Sequence, residues 1–507
     1  MVMGEVISFV ENYLDSTGSV WCRKEALYSY AAKHRKSLKR LPYLVQKGLL
    51  LEHMTGDGEV FITLPEFAIT EDFVAMHVNR ILHQYKRPSF SEDKIDEILG
   101  KAKEITGITL APQQREAVIK AVNSGFCVIT GGPGTGKTCT LTTLCFVLQE
   151  LFFGIDIRFT APTGKAARRI RESTKRPSKT AQKELAITPE NKKKKIFTGD
   201  VLIVDEVSML DLDTAKMVFE SIHNGQKIIL VGDINQLPSV GRGAVLRDLL
   251  WSEAVPFVQL TQTYRQAEDS NLFGNITAIK NGDWRLHEGD DFQVLKVNPD
   301  PVKQLLDMMQ HEVDRFGVDN VACLLPYRKK GILCSNNLNP LIQNMLNPLS
   351  SDKPFLTVTK VEDGVSRRVS FNMGDPVMQL ENQKECANGD VGKVIAFENG
   401  RMIVRYIDGC VSYTKKMVAE KLDLAYSMSI NKSQGSEYDS VVMAITMDHK
   451  AMLKRNLVYT GVTRAKKRCC VLQDDNAMKI AISTEDEYQR ITFLAEKIRL
   501  LRLDKTA

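Results

Sequence analysis

The stretch FCVITGGPGTGKTCTLTTLCFVLQEL, residues 126–151, opens with five residues that suit a buried strand. GGPGTGKT at 131–138 then matches G-x-x-x-x-G-K-[ST], and TLTTLCFVLQEL continues in a helical pattern. Strand, loop and helix in that order give the motif its meaning. Glycine lets the backbone curl until its N–H groups face phosphate oxygens, and a helix N-terminus adds partial positive charge. Gly132, Pro133, Gly134, Thr135 and Gly136 are therefore expected to wrap the phosphates of a nucleotide. Lys137 is expected to neutralise the β- and γ-phosphates, and Thr138 to ligate Mg²⁺.

Working outward, VLIVDEVSMLD at 201–211 is a four-residue apolar strand that delivers Asp205 and Glu206 at its C-terminal end. Ligands of open α/β sheets bind at that end. Asp205 would hold Mg²⁺, directly or through water, and Glu206 would orient and deprotonate an attacking water. Positive charge is also needed on the transferring and leaving oxygens, and Arg265 in LTQTYRQ and Arg464 in YTGVTRAKK are the candidates. A lone Asp-Glu pair or a lone Arg is ordinarily a surface feature; its place after a phosphate loop gives it weight. Further apolar runs, IRFTA, IILVGD and PFVQL, alternate with helical stretches, and VACLLP, VVMAIT and CCVLQ form a second series. Unbroken hydrophobicity suits parallel strands covered on both faces. The fold class is α/β, with two parallel-sheet domains.

At 507 residues the chain exceeds one core, since domains hold roughly 100–200 residues. A composition of 43% hydrophobic and 26% charged residues excludes bulk disorder. Lys and Arg number 68 against 62 acids, a mild excess of +6, so a basic groove requires local clustering. No apolar run reaches the ~20 residues that span a bilayer. MVMGEVISFVENYLD carries acids early and does not read as a signal peptide. The ten cysteines are scattered through apolar segments with no C-x-x-C pair, which suits free thiols in a reducing cytoplasm. The N-x-S/T matches at Asn275 and Asn431 read as chance hits.

Residues 1–95 form a separate unit: helical stretches near 24–34 and 36–47, then LLLEHM, a TGDG turn and VFITL. Helix, helix and hairpin make a winged-helix-like α+β pattern. Arg35, Lys36, Lys39 and Arg40 around the second helix read either as a DNA contact or as a solvated face. The first α/β domain covers 96–262, with an excursion at 172–199 that carries the run Lys192 to Lys195, either a solvated loop or a phosphate contact. The second covers 263–348 and 424–507. Between its halves, residues 349–423 show alternating segments punctuated by NGD and ENG, which read as a small β-barrel.

The order of these motifs resembles superfamily 1 helicases, and within them the RecD-like 5′-to-3′ subgroup, over about residues 105–475. The resemblance implies two RecA-like domains that bind ATP with Mg²⁺. LAPQQREAV places Gln114 at the adenine-recognising glutamine. APTGKAARR resembles the motif whose Thr163 and Lys165 contact DNA phosphates. GDINQLPSVGRG places Gln236 as γ-phosphate sensor, and TYRQ places Tyr264 on adenine with Arg265 as first finger. SINKSQGSEYDSV resembles the motif coupling DNA, through Ser433 and Gln434, to nucleotide, with Glu437 near the ribose; VYTGVTRAK supplies Arg464 as second finger. GDPVMQLENQKECANGDVGKV resembles the opening of the SH3-like barrel of RecD-like enzymes, and 172–199 falls where they carry a strand-separating hairpin. The chain departs from the family at Asn431 and Gln182, where histidine is usual.

The resemblance implies an ATP-dependent 5′-to-3′ single-stranded DNA translocase and helicase. It would act on DNA with a 5′ single-stranded tail, as a cytoplasmic, nucleoid-associated monomer with no membrane partner. The N-terminal domain is a candidate surface for protein partners, one that the resemblance does not supply. The alternative is an ATP-dependent switch or loader that grips DNA without unwinding it.

Overall fold

A computed structural model of the chain describes residues 3–86, 88–185, 196–263, 270–350, 352–362, 364–383, 385–407, 409–474, 476–485 and 490–503. The chain divides into two units. One comprises Met1–Pro162, Ile170–Arg265 and Asp486–Ala507, and the other Thr163–Arg169 and Gln266–Glu485.

The first unit carries β1 (Cys22–Arg23), β2 (Leu51–Met54), β3 (Val60–Thr63), β4 (Phe126–Gly131), β5 (Ile157–Ala161), β6 (Ser178–Thr180), β7 (Val201–Val204), β8 (Lys227–Gly232) and β9 (Phe257–Leu260). β4, β7 and β8 are buried at every position, as their apolar runs require of strands covered on both faces. They lie inside a wholly parallel sheet of order β6-β5-β7-β8-β4-β9. β9, at one edge, alternates exposed and buried residues. In register, Thr130 of β4 faces Gly232 of β8, and Val204 of β7 faces Leu230. The three strands therefore end at the same edge of the sheet, with β7 stopping opposite Leu230 and β4 and β8 running on to Gly131 and Gly232.

β6 corrects the sequence reading of 172–199 as an excursion from the domain. Ser178, Lys179 and Thr180 pair in parallel with Phe159, Thr160 and Ala161. The segment extends the sheet because the exposed side of β5 still has backbone groups to satisfy. Lys192 to Lys195 lie outside the described residues.

At the N-terminus, helices Lys24–Lys33 and Leu41–Gln46 precede a hairpin in which Leu51 faces Thr63 and Met54 faces Val60, with β1 added antiparallel to β3. The helix Pro65–Gln84 comes next, with the helix Leu494–Leu503 packed against it. The sequence reading ran 424–507 as one piece of the second domain; the structure returns the final segment to the first unit. The cause is a buried carboxylate. Glu71, fully inaccessible, accepts hydrogen bonds from Trp21 Nε1 at 3.1 Å and Phe493 N at 2.9 Å, and pairs with Lys497 Nζ at 2.9 Å. Phe493 also packs its ring edge-on against Trp21 and Phe61.

The second unit carries β10 (Phe292–Lys296), β11 (Val321–Leu325), β12 (Phe355–Glu362), β13 (Val365–Asn372), β14 (Pro376–Gln379), β15 (Val391–Glu398), β16 (Arg401–Tyr406), β17 (Gly409–Thr414), β18 (Leu422–Leu424), β19 (Ser427–Ser429), β20 (Tyr438–Ile445) and β21 (Ala465–Gln473). β10-β21-β20-β11-β19 form a second parallel sheet. From β12 to β18 every pairing is antiparallel: a β12–β13 hairpin and a sheet of order β17-β16-β15-β14-β18. A second buried carboxylate anchors this insert. Asp375 accepts hydrogen bonds from Asn372 N at 2.6 Å, Tyr426 Oη at 2.7 Å and Asn347 Nδ2 at 2.7 Å, and from Gln343 Nε2. Gln343 belongs to the helix Ser335–Leu346 and Asn347 comes directly after it, so the insert is tied to that helix and to the strand region ahead of β19.

All ten cysteines are free, eight of them buried. Among the described residues no helix is long and apolar enough to cross a membrane.

Glu71→Ala is expected to lower the unfolding free energy by about 2–4 kcal/mol, because it leaves the Trp21 and Phe493 N–H groups without their acceptor, while the half-buried Lys497 keeps Asp72 at 2.6 Å. Chemical denaturation checks this; a loss under about 1 kcal/mol would mean that the carboxylate does not organise this corner.

Candidate active site

The phosphate loop leaves the sheet at Gly131, where any side chain would collide: a Cβ would lie 2.7 Å from Thr135 Oγ1 and 3.0 Å from Leu260. Gly134 (φ 76°) and Gly136 (φ 78°) take left-handed conformations that favour glycine, and the helix Lys137–Leu151 starts at once. Thr135 Oγ1 closes the loop on Gly132 O at 2.8 Å. Lys137 Nζ donates to Gly131 O at 2.5 Å and Gly132 O at 3.0 Å, so its ammonium is held over the loop it is expected to serve. Thr138 lies in the first turn of the helix and is exposed.

Gln114 sits behind the loop rather than apart from it. Its Nε2 donates to Thr135 O at 3.0 Å and its Oε1 accepts from Ala111 N at 3.0 Å, tying the start of the helix Pro112–Asn123 to the phosphate loop. Gln113 does the same for β9: its Oε1 accepts from Thr261 N at 2.8 Å. The sequence reading missed Gln113; its only signal was its place beside Gln114.

Asp205 comes directly after β7, with its N–H on Thr160 O at 3.0 Å and its Oδ1 accepting from Glu206 N at 2.8 Å. Glu206 is buried and left-handed (φ 54°, ψ 41°), and it starts the short 3₁₀ turn Val207–Met209. A non-glycine residue in that conformation costs of order 1–2 kcal/mol and persists only when its surroundings fix it. They do so here: Gly232, at the end of β8, approaches this turn so closely that a Cβ would lie 3.2 Å from Val207 N and 3.3 Å from Ser208 N. After β8, Asp233 is buried, and its Oδ1 accepts from Asn235 N at 3.0 Å and Asn235 Nδ2 at 3.1 Å. The turn continues through Gln236 N to Asp233 O at 3.2 Å, and Gln236 is buried.

The loop beyond Gln236 is braced by a residue that the sequence did not single out. The Arg490 guanidinium donates to Ser239 O at 2.6 Å and to Gly241 O and Gly243 O at 2.8 Å each. Gly18 makes room for it, since a Cβ there would meet the Arg490 guanidinium at 2.6 Å. No spacing rule links residue 490 to residue 239. Tyr264 and Arg265 lie outside the described residues.

Within the second unit, the segment Thr163–Arg169 packs against the SQGSE turn. Thr163 Oγ1 accepts from Ala166 N at 3.3 Å, capping the helix Gly164–Thr174. Gly435 (φ 73°) lies close enough that a Cβ would be 3.3 Å from Ala166 N. Ser433 and Gln434 are buried, with Ser433 Oγ on Ile430 O at 2.7 Å, so they shape the turn instead of presenting an open surface. Lys165 Nζ is 3.4 Å from Lys432 O. Burial pulls its pKa down to about 8, against the Asp390 carboxylate, which supports the charge, while Lys432 and Arg168 lower it further. Glu437 pairs with Arg169 and lies 3.9 Å from Lys466 Nζ; the sequence reading did not anticipate Arg169. Arg464 is buried, with Nε on Thr460 O at 3.0 Å and Nη1 on Ser436 O at 3.2 Å. Asn431 lies in the 3₁₀ turn Ile430–Ser433, and Gln182 in the short helix Ala181–Glu184.

A parallel sheet whose C-terminal edge gathers a glycine-rich phosphate loop, an Asp-Glu pair and a buried glutamine turn defines a P-loop NTPase core. Family models described as "AAA domain" and "UvrD-like helicase C-terminal domain" match residues 109–296 and 424–472. The chain is 32% identical over 395 residues to the ATP-dependent RecD2 DNA helicase of Deinococcus radiodurans, covering 77% of this chain and 52% of that protein. It is 29% identical over 509 residues to the RecBCD enzyme subunit RecD of Haemophilus influenzae, covering 81% and 76%. A solved structure of Pif1 helicase from Candida albicans aligns at 18% identity with a TM-score of 0.46, over 79% of this chain and 100% of that one. By these matches the chain is similar to the RecD and RecD2 helicases. It spans about half the length of the Deinococcus relative.

The backbone at Glu206 separates fold from chemistry. Glu206→Asn and Glu206→Gly, which tolerate left-handed backbone, are expected to unfold at or near the wild-type midpoint, and Glu206→Val about 1–2 kcal/mol earlier. Denaturation curves that place the valine variant with the other two would remove the strain argument.

Proposed function

We propose that this chain is an ATP-dependent DNA helicase: it hydrolyses ATP to ADP and phosphate and uses the energy to move 5′ to 3′ along single-stranded DNA and separate strands, in repair, recombination or replication. The observation that carries the reading is the shared sheet edge, where the Lys137 loop, the Asp205–Glu206 pair and the Gln236 turn emerge from β4, β7 and β8. The polarity and the track rest on the family resemblance and on the names of the relatives.

In this reading Gly132 to Gly136 surround the phosphates, and Lys137 neutralises charge on the β- and γ-oxygens. Glu206 orients and deprotonates the attacking water, and Gln236 senses the γ-phosphate. Gln114 and Tyr264 frame the adenine, and Glu437 approaches the ribose after exchanging its partner Arg169. Arg265 and Arg464 act as arginine fingers, of the kind worth about 10³–10⁵ in rate. The donor set also fits Mg²⁺: a hydroxyl at Thr138 and a carboxylate at Asp205 are hard oxygen ligands. Among the described residues no group of three or more His, Cys, Asp or Glu could hold a metal unaided, so phosphate oxygens would complete the sphere. Bound there, the ion would polarise the phosphoryl oxygens.

Thr163, Lys165, Ser433 and Gln434 form the DNA-facing set, the last two by shaping the turn on which Lys165 rests. The antiparallel insert is read as an SH3-like barrel and the N-terminal helices and hairpin as winged-helix-like. Asn431 favours a second reading, a switch or loader that grips DNA without travelling. A translocase's ATP turnover rises with the length of the single strand, whereas a fixed switch saturates early.

Lys137→Ala is expected to abolish DNA-stimulated ATP hydrolysis and to leave DNA binding intact, and the wild type to unwind 5′-tailed but not 3′-tailed duplexes. Unwinding confined to the 3′-tailed substrate would overturn the polarity. Lys165 adds a pH signature. A lysine with a pKa of about 8 is charged below that pH and neutral above it, so single-strand affinity should fall as pH rises from about 7 to about 9. Lys165→Arg, charged throughout, should flatten the profile. An equal pH dependence in both proteins, read by fluorescence anisotropy, would remove Lys165 from the interface.

A further inference from the structure

The charge of this chain is not spread over it. Between Glu25 and Glu52 there is no acidic residue, and there are six basic ones: Lys33, Arg35, Lys36, Lys39, Arg40 and Lys47. Setting these six aside leaves 62 Lys and Arg in the chain, matched by its 62 acids. The entire formal excess of +6 therefore belongs to 26 consecutive residues, 26–51.

The structure displays this charge rather than neutralising it. All six side chains are exposed: Lys33 ends the helix Lys24–Lys33, Arg35, Lys36, Lys39 and Arg40 lie on the segment that follows, and Lys47 comes just after the helix Leu41–Gln46. Leu38, Leu41 and Leu44 are buried beneath them and hold the stretch in place. Among the described residues none of the six forms an ion pair, while the flanking acids are taken: Glu52 pairs with Lys24 and Glu59 with Arg23, each at 3.1 Å. Tyr43 is exposed within the patch, with Lys47 Nζ 5.8 Å from its ring centre. Like charges crowded together repel one another unless a polyanion accepts them. The patch also lies outside the residues matched by either family model.

We propose that this N-terminal face binds the phosphate backbone of double-stranded DNA, as a second nucleic-acid surface distinct from the proposed single-strand track. Duplex is favoured by charge density. It presents one phosphate per ~1.7 Å of axis, about twice the density of one strand, and so suits six cations gathered within one short stretch around the turn between two helices. Backbone contact of this kind fixes position without reading sequence. The proposal is independent of the polarity assigned above, and needs only that the chain works on DNA.

The test uses the full chain with Lys36→Gln, Lys39→Gln and Arg40→Gln combined. Binding to a blunt duplex of mixed sequence and to a single strand of equal length is measured by fluorescence anisotropy over a salt series. Duplex affinity should fall at least about tenfold, and the slope of log K against log salt should shrink by about 2.7, or ~0.9 for each phosphate contact removed. Single-strand-stimulated ATP turnover should stay within about twofold of wild type, and the thermal midpoint should not move, because the three side chains are exposed. Unchanged duplex affinity and salt slope would overturn the proposal; that is also the result expected if the face serves an acidic protein. Equal losses on duplex and single strand would overturn the assignment to duplex. Lys137→Ala supplies the separation: it should lose turnover and keep duplex binding, so failure of the ATPase reading leaves the patch result standing.

Discussion

Parallel strand pairing is the constraint on which the first unit depends. When β4, β7 and β8 run the same way in one sheet, their C-terminal ends emerge on the same side, and so must the segments attached to those ends. Those segments are the glycine loop, the Asp205–Glu206 pair and the turn that carries Gln236. Each was recruited from a different part of the chain, and none could meet the others without the sheet. The buried apolar character of these strands is thus the physical cause of the site, because only strands covered on both faces can occupy the middle of such a sheet.

The edge is held tightly, and glycine is part of the reason. Gly131 lies against Thr135 and Leu260, and Gly232 against the turn after Glu206. Glu206 carries the opposite burden, as a large residue in a conformation that glycine would accept more easily. Its retention there is understandable if the carboxylate is needed and the backbone must aim it. Around this edge, the larger attachments rely on buried carboxylates. Glu71 joins the N-terminal module to the final helix, and Asp375 joins the antiparallel insert to its neighbouring helix. Each carboxylate accepts at least three donors, the condition under which burying charge is tolerable.

How much of this was legible in the sequence depended on range. Residues 126–151 announced strand, loop and helix because each signal is local, and the same holds for the strand before Asp205. The strand at 178–180 was not read, because Ser-Lys-Thr has no apolar pattern and is held there only by pairing with an open edge. Arg490 on the loop after Gln236, and Phe493 with Lys497 on Glu71, join residues more than 200 positions apart; no periodicity encodes such contacts. The left-handed backbone at Glu206 was likewise invisible, since nothing in the side chain asks for it. Arg169 stood within a motif already singled out, yet its partner Glu437 emerges only when the two segments are folded together.

The return of the chain to its beginning bears on how the protein is made. Synthesis runs from the N-terminus, and domains generally fold as they emerge. Here Glu71 and Trp21 leave the ribosome early, but the backbone N–H of Phe493 and the ammonium of Lys497 arrive only after more than four hundred further residues have been translated. Until then the early module holds a carboxylate served by Trp21 alone and an apolar face without its cover. A nascent chain in that state has reason to be met by chaperones, and its last step to the native state waits on the closing of a very long loop.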